Sequence, residues 1–360
     1  VQILGGKRGT KGLLPNVVTL AEALKPLGYA TGIFGKWHLG SEPDTLPNRR
    51  GFDEFFGFHA GCVDYYSHIF YWGQGGGVNP VHDLWHNERE VWHNGAYLTE
   101  LITERAIDFI ERHANEPFFV YVPYNAPHYP MHAPQKYMDR FAHLPWDRQV
   151  MAAMIAAVDD GVGAITATLR NLGLMENTVI FFSSDNGPST ESRNWLDGTE
   201  DKYYGGSAGI FRGHKFSLFE GGIREPAILT CPGRIPEGQV LSEIGIMMDI
   251  WPTFVELAGD ESRDYGVDGR SVWAMVAEGA PSPHKHVCWQ LGNQMAIRQG
   301  RWKLVLNGRI DSDKQNVADP VHLSDLSADP GERTNLADQF PEVVAELRSE
   351  LERWRAELNV

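Results

Sequence analysis

Four short, nearly unbroken apolar runs mark the first two thirds of the chain. They are 30–37 (Ala-Thr-Gly-Ile-Phe-Gly-Lys-Trp), 117–125 (Pro-Phe-Phe-Val-Tyr-Val-Pro-Tyr-Asn), 178–184 (Thr-Val-Ile-Phe-Phe-Ser-Ser) and 226–231 (Pro-Ala-Ile-Leu-Thr-Cys). Runs of this length and continuity predict strands covered on both faces of a sheet. Between them the apolar positions take helical spacing. In 19–27, Leu20, Ala23, Leu24 and Leu27 share one face, and Gly28 supplies a stop. Segments 99–112 and 149–172 predict longer amphipathic helices. Another is expected over 249–258, where Pro252 is tolerable in a first turn. Strands alternating with helices predict an α/β fold, with a mostly parallel central sheet and helices on both faces.

From about residue 278 the pattern changes. Glu-Gly-Ala-Pro-Ser-Pro (278–283) has the composition of a linker. Short strand-like pieces follow at 286–291, 294–299 and 301–306, with Gln-Gly (299–300) marking a tight turn, and a terminal helix is expected over 341–358. The expected division is an α/β domain over 1–277 and a small C-terminal α+β subdomain over 284–360, an antiparallel sheet with one packed helix.

Composition narrows the function. The 360 residues carry 47 acidic and 32 basic side chains, a formal net charge of −15, and no block of Lys and Arg. Nucleic-acid binding lacks the basic footprint it needs. Any anion site must be assembled locally, against the overall field. Cys62, Cys231 and Cys288 show no Cys-x-x-Cys spacing, which argues against a zinc cluster or a disulfide framework. No stretch approaches the roughly 18 consecutive apolar residues of a membrane span. The chain opens on Val1, with neither an initiator Met nor a signal-peptide pattern.

Candidate chemistry gathers where the apolar runs end. Lys36 and His38 follow the first run with one residue between them, so strand alternation points both to one side. They form either a receptor for an anionic ester or a solvated Lys beside a structural His. The second run leads into Asn125-Ala126-Pro127-His128, where His128 is either a general acid or base or an ordinary loop histidine, one of 14 in the chain. The third enters Asp185-Asn186-Gly187, either two hard oxygen donors for Ca²⁺ or Mg²⁺ or a simple turn. Arg-Gly-His-Lys (212–215) places basic side chains beside glycine, suited to close approach of an oxyanion or to a solvated loop.

Taken in order, Gly-Lys-Trp-His-Leu-Gly (35–40), Ala-Pro-His (126–128), Ser-Asp-Asn-Gly (184–187) and Gly-His-Lys (213–215) resemble the sulfatase family of the alkaline-phosphatase-like superfamily. Further stretches extend the resemblance over nearly the whole chain. They include Gly-Phe-Asp-Glu-Phe-Phe-Gly-Phe (51–58), Glu-Gly-Gly-Ile-Arg-Glu-Pro-Ala (220–227) and Asp-Leu-Ser-Ala-Asp-Pro-Gly-Glu-Arg-Thr-Asn-Leu-Ala (325–337). The resemblance implies an alkaline-phosphatase-like fold and a sulfuric-ester hydrolase acting on a small-molecule or glycan sulfate ester. It implies that Asp185 and Asn186 are two ligands of a divalent cation, usually Ca²⁺. Lys36 and Lys215 would bind the sulfate oxygens and hold the nucleophile. His128 would protonate the departing alcohol, and His38 would help the sulfated intermediate break down. It also implies a location outside the cytosol, in periplasm, lysosome or medium.

One part of the family pattern is missing. In the family the nucleophile is a formylglycine made from the Cys, or a Ser in its place, of a Cys-x-Pro-x-Arg motif, and none of the three cysteines lies in that context. Cys231 sits in Cys-Pro-Gly-Arg with the proline one place early, and reads as core. The paired aspartates that complete the family's metal site are absent too. The expectation is a chain lacking the N-terminal segment that bears the nucleophile, with exposed sheet edges, weak metal affinity and no turnover alone. Alternatives are a natural degenerate homologue, a phosphomonoesterase or phosphonate hydrolase of the same superfamily, and a non-catalytic glycan binder. The last would use Tyr65, Tyr66, Tyr71, Trp72, Trp85, Trp92 and Tyr97 to stack on sugars, against the simpler role of packing an insertion onto the body. Specificity is expected in the loops 59–95 and 188–210, with Tyr65, His68 and Trp195 as candidate contacts.

Overall fold

A computed structural model describes residues 11–70, 80–190, 206–260, 265–310 and 319–358. Helix α1 (Leu20–Leu24) starts on Thr19, whose hydroxyl accepts from the Glu22 N–H while the Glu22 carboxylate accepts from the Thr19 N–H. It ends through a short 3₁₀ turn at Gly28, whose φ of +86° suits glycine. Strand β1 (Ala30–Lys36) pairs in parallel with β2 (Glu54–Phe58). An insertion carries the two-residue strands β3 (Ile69–Phe70), β4 (Val81–His82), β5 (Trp85–His86) and β6 (Arg89–Glu90), and leads into α2 (Leu98–Arg112). Strand β7 (Phe118–Tyr121) lies parallel to β1 on its other side. The central sheet therefore runs β6-β5-β2-β1-β7, parallel in its core and antiparallel where β5 and β6 join.

After the short α3 (Gln135–Met138), α4 (Trp146–Asn171) packs on α2. A Cβ on Gly161 would come within 2.6 Å of Thr103 Oγ1 and 2.8 Å of Tyr124 Oη, so a side chain there would displace these hydroxyls and glycine lets them pack against α4. By length and composition α4 could cross a membrane, yet Val150, Ala153, Met154 and Ala157 lie in the core beside Ile102, Ala106 and Phe109. The main core joins Phe34, Phe56, Phe58, Leu98 and Phe109, each fully buried and each contributing about 2–3 kcal/mol by burial.

Strand β8 (Ile180–Ser183), α5 (Glu220–Ile223) and β9 (Ala227–Thr230) depart from the sequence expectation. Among the described residues, strands β8 and β9 pair only with each other, antiparallel, and share no ladder with β7. Expected to be covered on both faces, these runs instead leave Tyr121 48 %, Phe182 42 % and Ile228 60 % exposed. The physical reason is that β7 and β8 each keep an edge that no described strand pairs. Helices α6 (Ile250–Leu257) and α7 (Trp273–Glu278) follow. The stretch 278–283 is tied down rather than linker-like: Ser282 donates to the Ile244 carbonyl, and Arg270 to that of Pro283.

Strands β10 (Val287–Leu291), β11 (Gln294–Gln299), β12 (Trp302–Leu306) and β13 (Val321–Asp325) form an antiparallel sheet in sequential order. Helix α8 (Pro341–Glu357) covers it, with Leu347 and Leu351 against Ile297, Leu304 and Leu323. Strand β13 is the member that the sequence pattern did not single out. The opposite face of this sheet, at Ala296 and Val305, packs on Leu218 and Phe219.

Candidate active site

The first site residues stand where β1 runs out. Beyond Lys36 the ladder continues for two residues, with the Trp37 N–H donating to Phe58 and the His38 N–H to His59. His38 then turns into the left-handed region, at φ +53°. Period-two alternation therefore does not reach it, and its ring direction is set by this turn. The ring lies over Gly61, where a Cβ would sit 2.9 Å from Nε2. The Lys36 N–H donates to the Pro123 carbonyl, tying β1 to the segment that follows β7.

That segment delivers His128. Its N–H donates to the Asn125 carbonyl at 2.7 Å, and its carbonyl accepts from the Tyr65 hydroxyl at 2.8 Å. Nδ1 lies 2.8 Å from the Tyr129 carbonyl. A carbonyl can only accept, so Nδ1 carries the proton and neutral His128 has its lone pair on Nε2.

Lys215 arrives by close backbone contact. Its N–H donates to the Pro188 carbonyl, the Gly187 N–H to Gly222, and the Gly221 N–H to Arg212. A Cβ on Gly187 would lie 1.9 Å from the Gly221 oxygen, so the glycines let loop 212–222 lie directly on Asp185-Asn186-Gly187. Phe216, immediately after Lys215, holds φ at +72°, a conformation that costs a bulky residue about 1–3 kcal/mol.

These side chains act on one another. His128 is held down to about 3, by burial first, then by the charges of Lys215 and Lys36, and weakly by His38. His38 is held down to about 4, by burial and then by Lys36 and Lys215, with Asp185 opposing. The structure thus brings Lys36, His38, His128, Asp185 and Lys215 into one electrostatic neighbourhood. His68, in the insertion, is held at about 4 mainly by burial. Unfolding returns all three histidines to about 6.5, so between pH 6.5 and roughly 3 the unfolded chain binds more protons. Stability is therefore full above pH 6.5 and falls as pH drops through that window. In a thermal-melting series, a His38→Asn/His128→Asn double variant should flatten this decline, and an unchanged slope would refute the burial of neutral imidazoles.

Asp185 and Asn186 offer carboxylate and amide oxygens, donors suited to a hard cation. The Asn186 Nδ2 donates to the Gly187 carbonyl, which orients the amide. The described residues contain no group of three or more His, Cys, Asp or Glu placed to hold a metal ion. The two donors fit part of a Ca²⁺ shell and do not complete one.

Glu225 is the site residue that the sequence did not flag. Burial, and then the like charge of Asp185, push it up to about 7, and its Oε1 is buried without a hydrogen-bond partner. The only local signal is a carboxylate one residue before the Pro226 that opens the fourth apolar run.

Tyr65 and His68, candidate substrate contacts on sequence, are fully buried and cannot meet a ligand. Tyr65 packs on Tyr97, which is also buried, so these aromatics hold the insertion to the body. Trp92 remains exposed, stacked 3.6 Å from the His82 ring. Tyr71, Trp72 and Trp195 lie outside the described residues. Cys231 is buried in the core with Ile235, Val272 and Met275.

Residues 4–260 match the sequence model of the Sulfatase family. N-acetylgalactosamine-6-sulfatase of Mus musculus is 34% identical over 316 residues, covering 84% of this chain and 56% of that protein. Arylsulfatase J of Mus musculus is 30% identical over 385 residues, covering 93% of this chain and 62% of that protein. The chain thus spans less than two thirds of the length of either relative. The crystal structure of Ps i-CgsB in complex with k-i-k-neocarrahexaose shares the fold with a TM-score of 0.81 and 28% identity, over 98% of this chain and 77% of that one.

Proposed function

This chain belongs to the sulfatase family, and from that premise we propose that Lys36, His38, His128 and Lys215 form the sulfate-receiving wall of a sulfuric-ester hydrolase site. The observation that carries this is the state of His128, a buried neutral imidazole on which both lysines bear. Two lysine cations beside a buried neutral imidazole make a charge pattern suited to an anion. A sulfate ester supplies one, and its oxygens take the charges of Lys36 and Lys215.

The same geometry assigns the proton. In the free site Nε2 of His128 is unprotonated, because Nδ1 donates to Tyr129. A bound anion offsets the lysine charges that disfavour imidazolium, so Nε2 gains a proton from solvent as the ester binds. As an attacking oxygen bonds to sulfur and the bond from sulfur to the ester oxygen breaks, that proton passes to the departing alcohol oxygen and His128 returns to its neutral form. His38, held neutral beside it, is placed to take a proton in the step that frees the sulfate. Asp185 and Asn186 would hold a divalent cation such as Ca²⁺, which supplies further positive charge to the sulfuryl oxygens.

The 360 residues contain no Cys-x-Pro-x-Arg, so the family's attacking group is not among them. With relatives that include an N-acetylgalactosamine-6-sulfatase and a protein solved with k-i-k-neocarrahexaose, the proposed substrate class is a glycan sulfate ester. The purified chain, incubated with 4-nitrophenyl sulfate, should bind the ester yet release no more nitrophenol than a Lys36→Ala variant. Release above that control would contradict the missing nucleophile. Failure to bind the ester would contradict the site itself.

A further inference from the structure

Lys215 is held from two sides, and the second side belongs to a different sheet. Phe216 sits at positive φ directly after Lys215, a conformation that persists only where the surroundings fix it. Its carbonyl accepts from Nε2 of Gln294 at 2.9 Å. Gln294 is the first residue of β11, 78 residues away in sequence, and it is buried. Its other amide atom, Oε1, accepts from the Arg309 N–H, and the Arg309 carbonyl accepts from the hydroxyl of Ser217. Both residues that follow Lys215 are thus fastened to the C-terminal sheet by one relay, Phe216–Gln294–Arg309–Ser217.

A second brace lies at the far end of the same loop. Lys303 on β12 is buried, with Nζ 2.8 Å from Glu220 Oε1 and 3.3 Å from Glu332 Oε1. Glu332 also accepts from the Glu220 N–H. These contacts give a role to two motifs that the catalytic reading leaves idle, Glu-Gly-Gly-Ile-Arg-Glu-Pro-Ala (220–227) and the tail segment 325–337.

We propose that Gln294 is a positioning residue for Lys215, and that through it the C-terminal sheet sets where that cation stands in the anion site. A buried amide must be bonded at both ends, and here both ends are spent on fixing backbone. The assignment of Lys215 to an anion rests on the proposed function, whereas the fastening of its loop does not.

The test uses Gln294→Met, which keeps the length of the side chain and removes both polar atoms. Amide hydrogen exchange should accelerate at Lys215 and Ser217 while β11–β13 keep their protection. Sulfate affinity, measured by calorimetry, should weaken about fivefold, the effect of one lost hydrogen bond. That weakening should vanish in a Lys215→Ala background, because the effect travels through Lys215. Leu351→Ala, which loosens the same sheet from beneath α8 without touching the loop, should leave exchange at Lys215 unchanged. Unchanged exchange at Lys215 in Gln294→Met, equal weakening in both backgrounds, or the same response from Leu351→Ala would overturn the assignment. If the unmodified chain binds no sulfate, the anion-site reading falls, and the exchange comparison still decides whether Gln294 holds the loop.

Discussion

Lys303→Ala is expected to destabilise the chain by about 3–5 kcal/mol, the range for removing one partner of a buried charge cluster. Lys303, Glu220 and Glu332 are 0 %, 2 % and 0 % exposed, so no water can replace the lost ammonium. The two carboxyls do not respond alike. Burial works to raise both. The Lys303 charge overcomes it at Glu220, whose carboxyl stays below the usual range, whereas at Glu332 burial prevails and the carboxyl is raised. The three groups titrate as a unit, with one firm ion pair and a second acid inclined to keep its proton. Without Lys303, Glu220 loses the charge that keeps it ionised, and the alanine adds a cavity between β12 and α5. Urea unfolding should show the full loss in Lys303→Ala. A Lys303→Met/Glu220→Gln/Glu332→Gln variant should recover much of it, because an uncharged, well-filled site has no charge left to compensate. A loss under about 1 kcal/mol in Lys303→Ala would show that the cluster is not dry.

The residues of the candidate site were more legible in the sequence than the frame around them. Lys36, His128, Asp185 and Lys215 each stand at or beyond the end of an apolar run or in a glycine-flanked turn, places where a polar residue has no packing role. Their order along the chain carried the resemblance. His38 belongs with them, although its ring is directed by a left-handed backbone turn that alternation could not foresee. Gln294, Lys303 and Glu332 could not be read in this way. Their partners lie 78, 83 and 112 residues away in sequence, and Lys303 in Trp-Lys-Leu-Val-Leu has the look of an outward strand position. The open faces of β7, β8 and β9 were hidden for a related reason. Periodicity reports which residues are apolar, and cannot report whether a neighbouring strand is present to cover them. The insertion misled in the opposite direction, since Tyr65 and His68 resemble sugar contacts in composition but face inward once folded.

The proposed function stands on one binding event, the capture of a sulfate group between Lys36 and Lys215 beside His128. Both lysines bear on that buried imidazole, and each offers a charged donor to the anion. Losing a charge-assisted hydrogen bond costs about 1.5–3 kcal/mol, so Lys36→Ala and Lys215→Ala should each weaken sulfate binding by roughly 10- to 100-fold. Lys285→Ala, removing a lysine that is exposed on the surface, should change nothing. Binding should also draw protons from solution, because the anion offsets the lysine charges that act with burial to keep His128 neutral and itself favours the imidazolium. The decisive measurement is a calorimetric titration of sulfate into the unmodified chain and these three variants, in two buffers of different ionisation enthalpy. The proposed site predicts saturable binding with proton uptake, weakened roughly 10- to 100-fold by loss of either site lysine and unchanged in Lys285→Ala. Equal affinity in all four proteins, or binding without proton uptake, would contradict it.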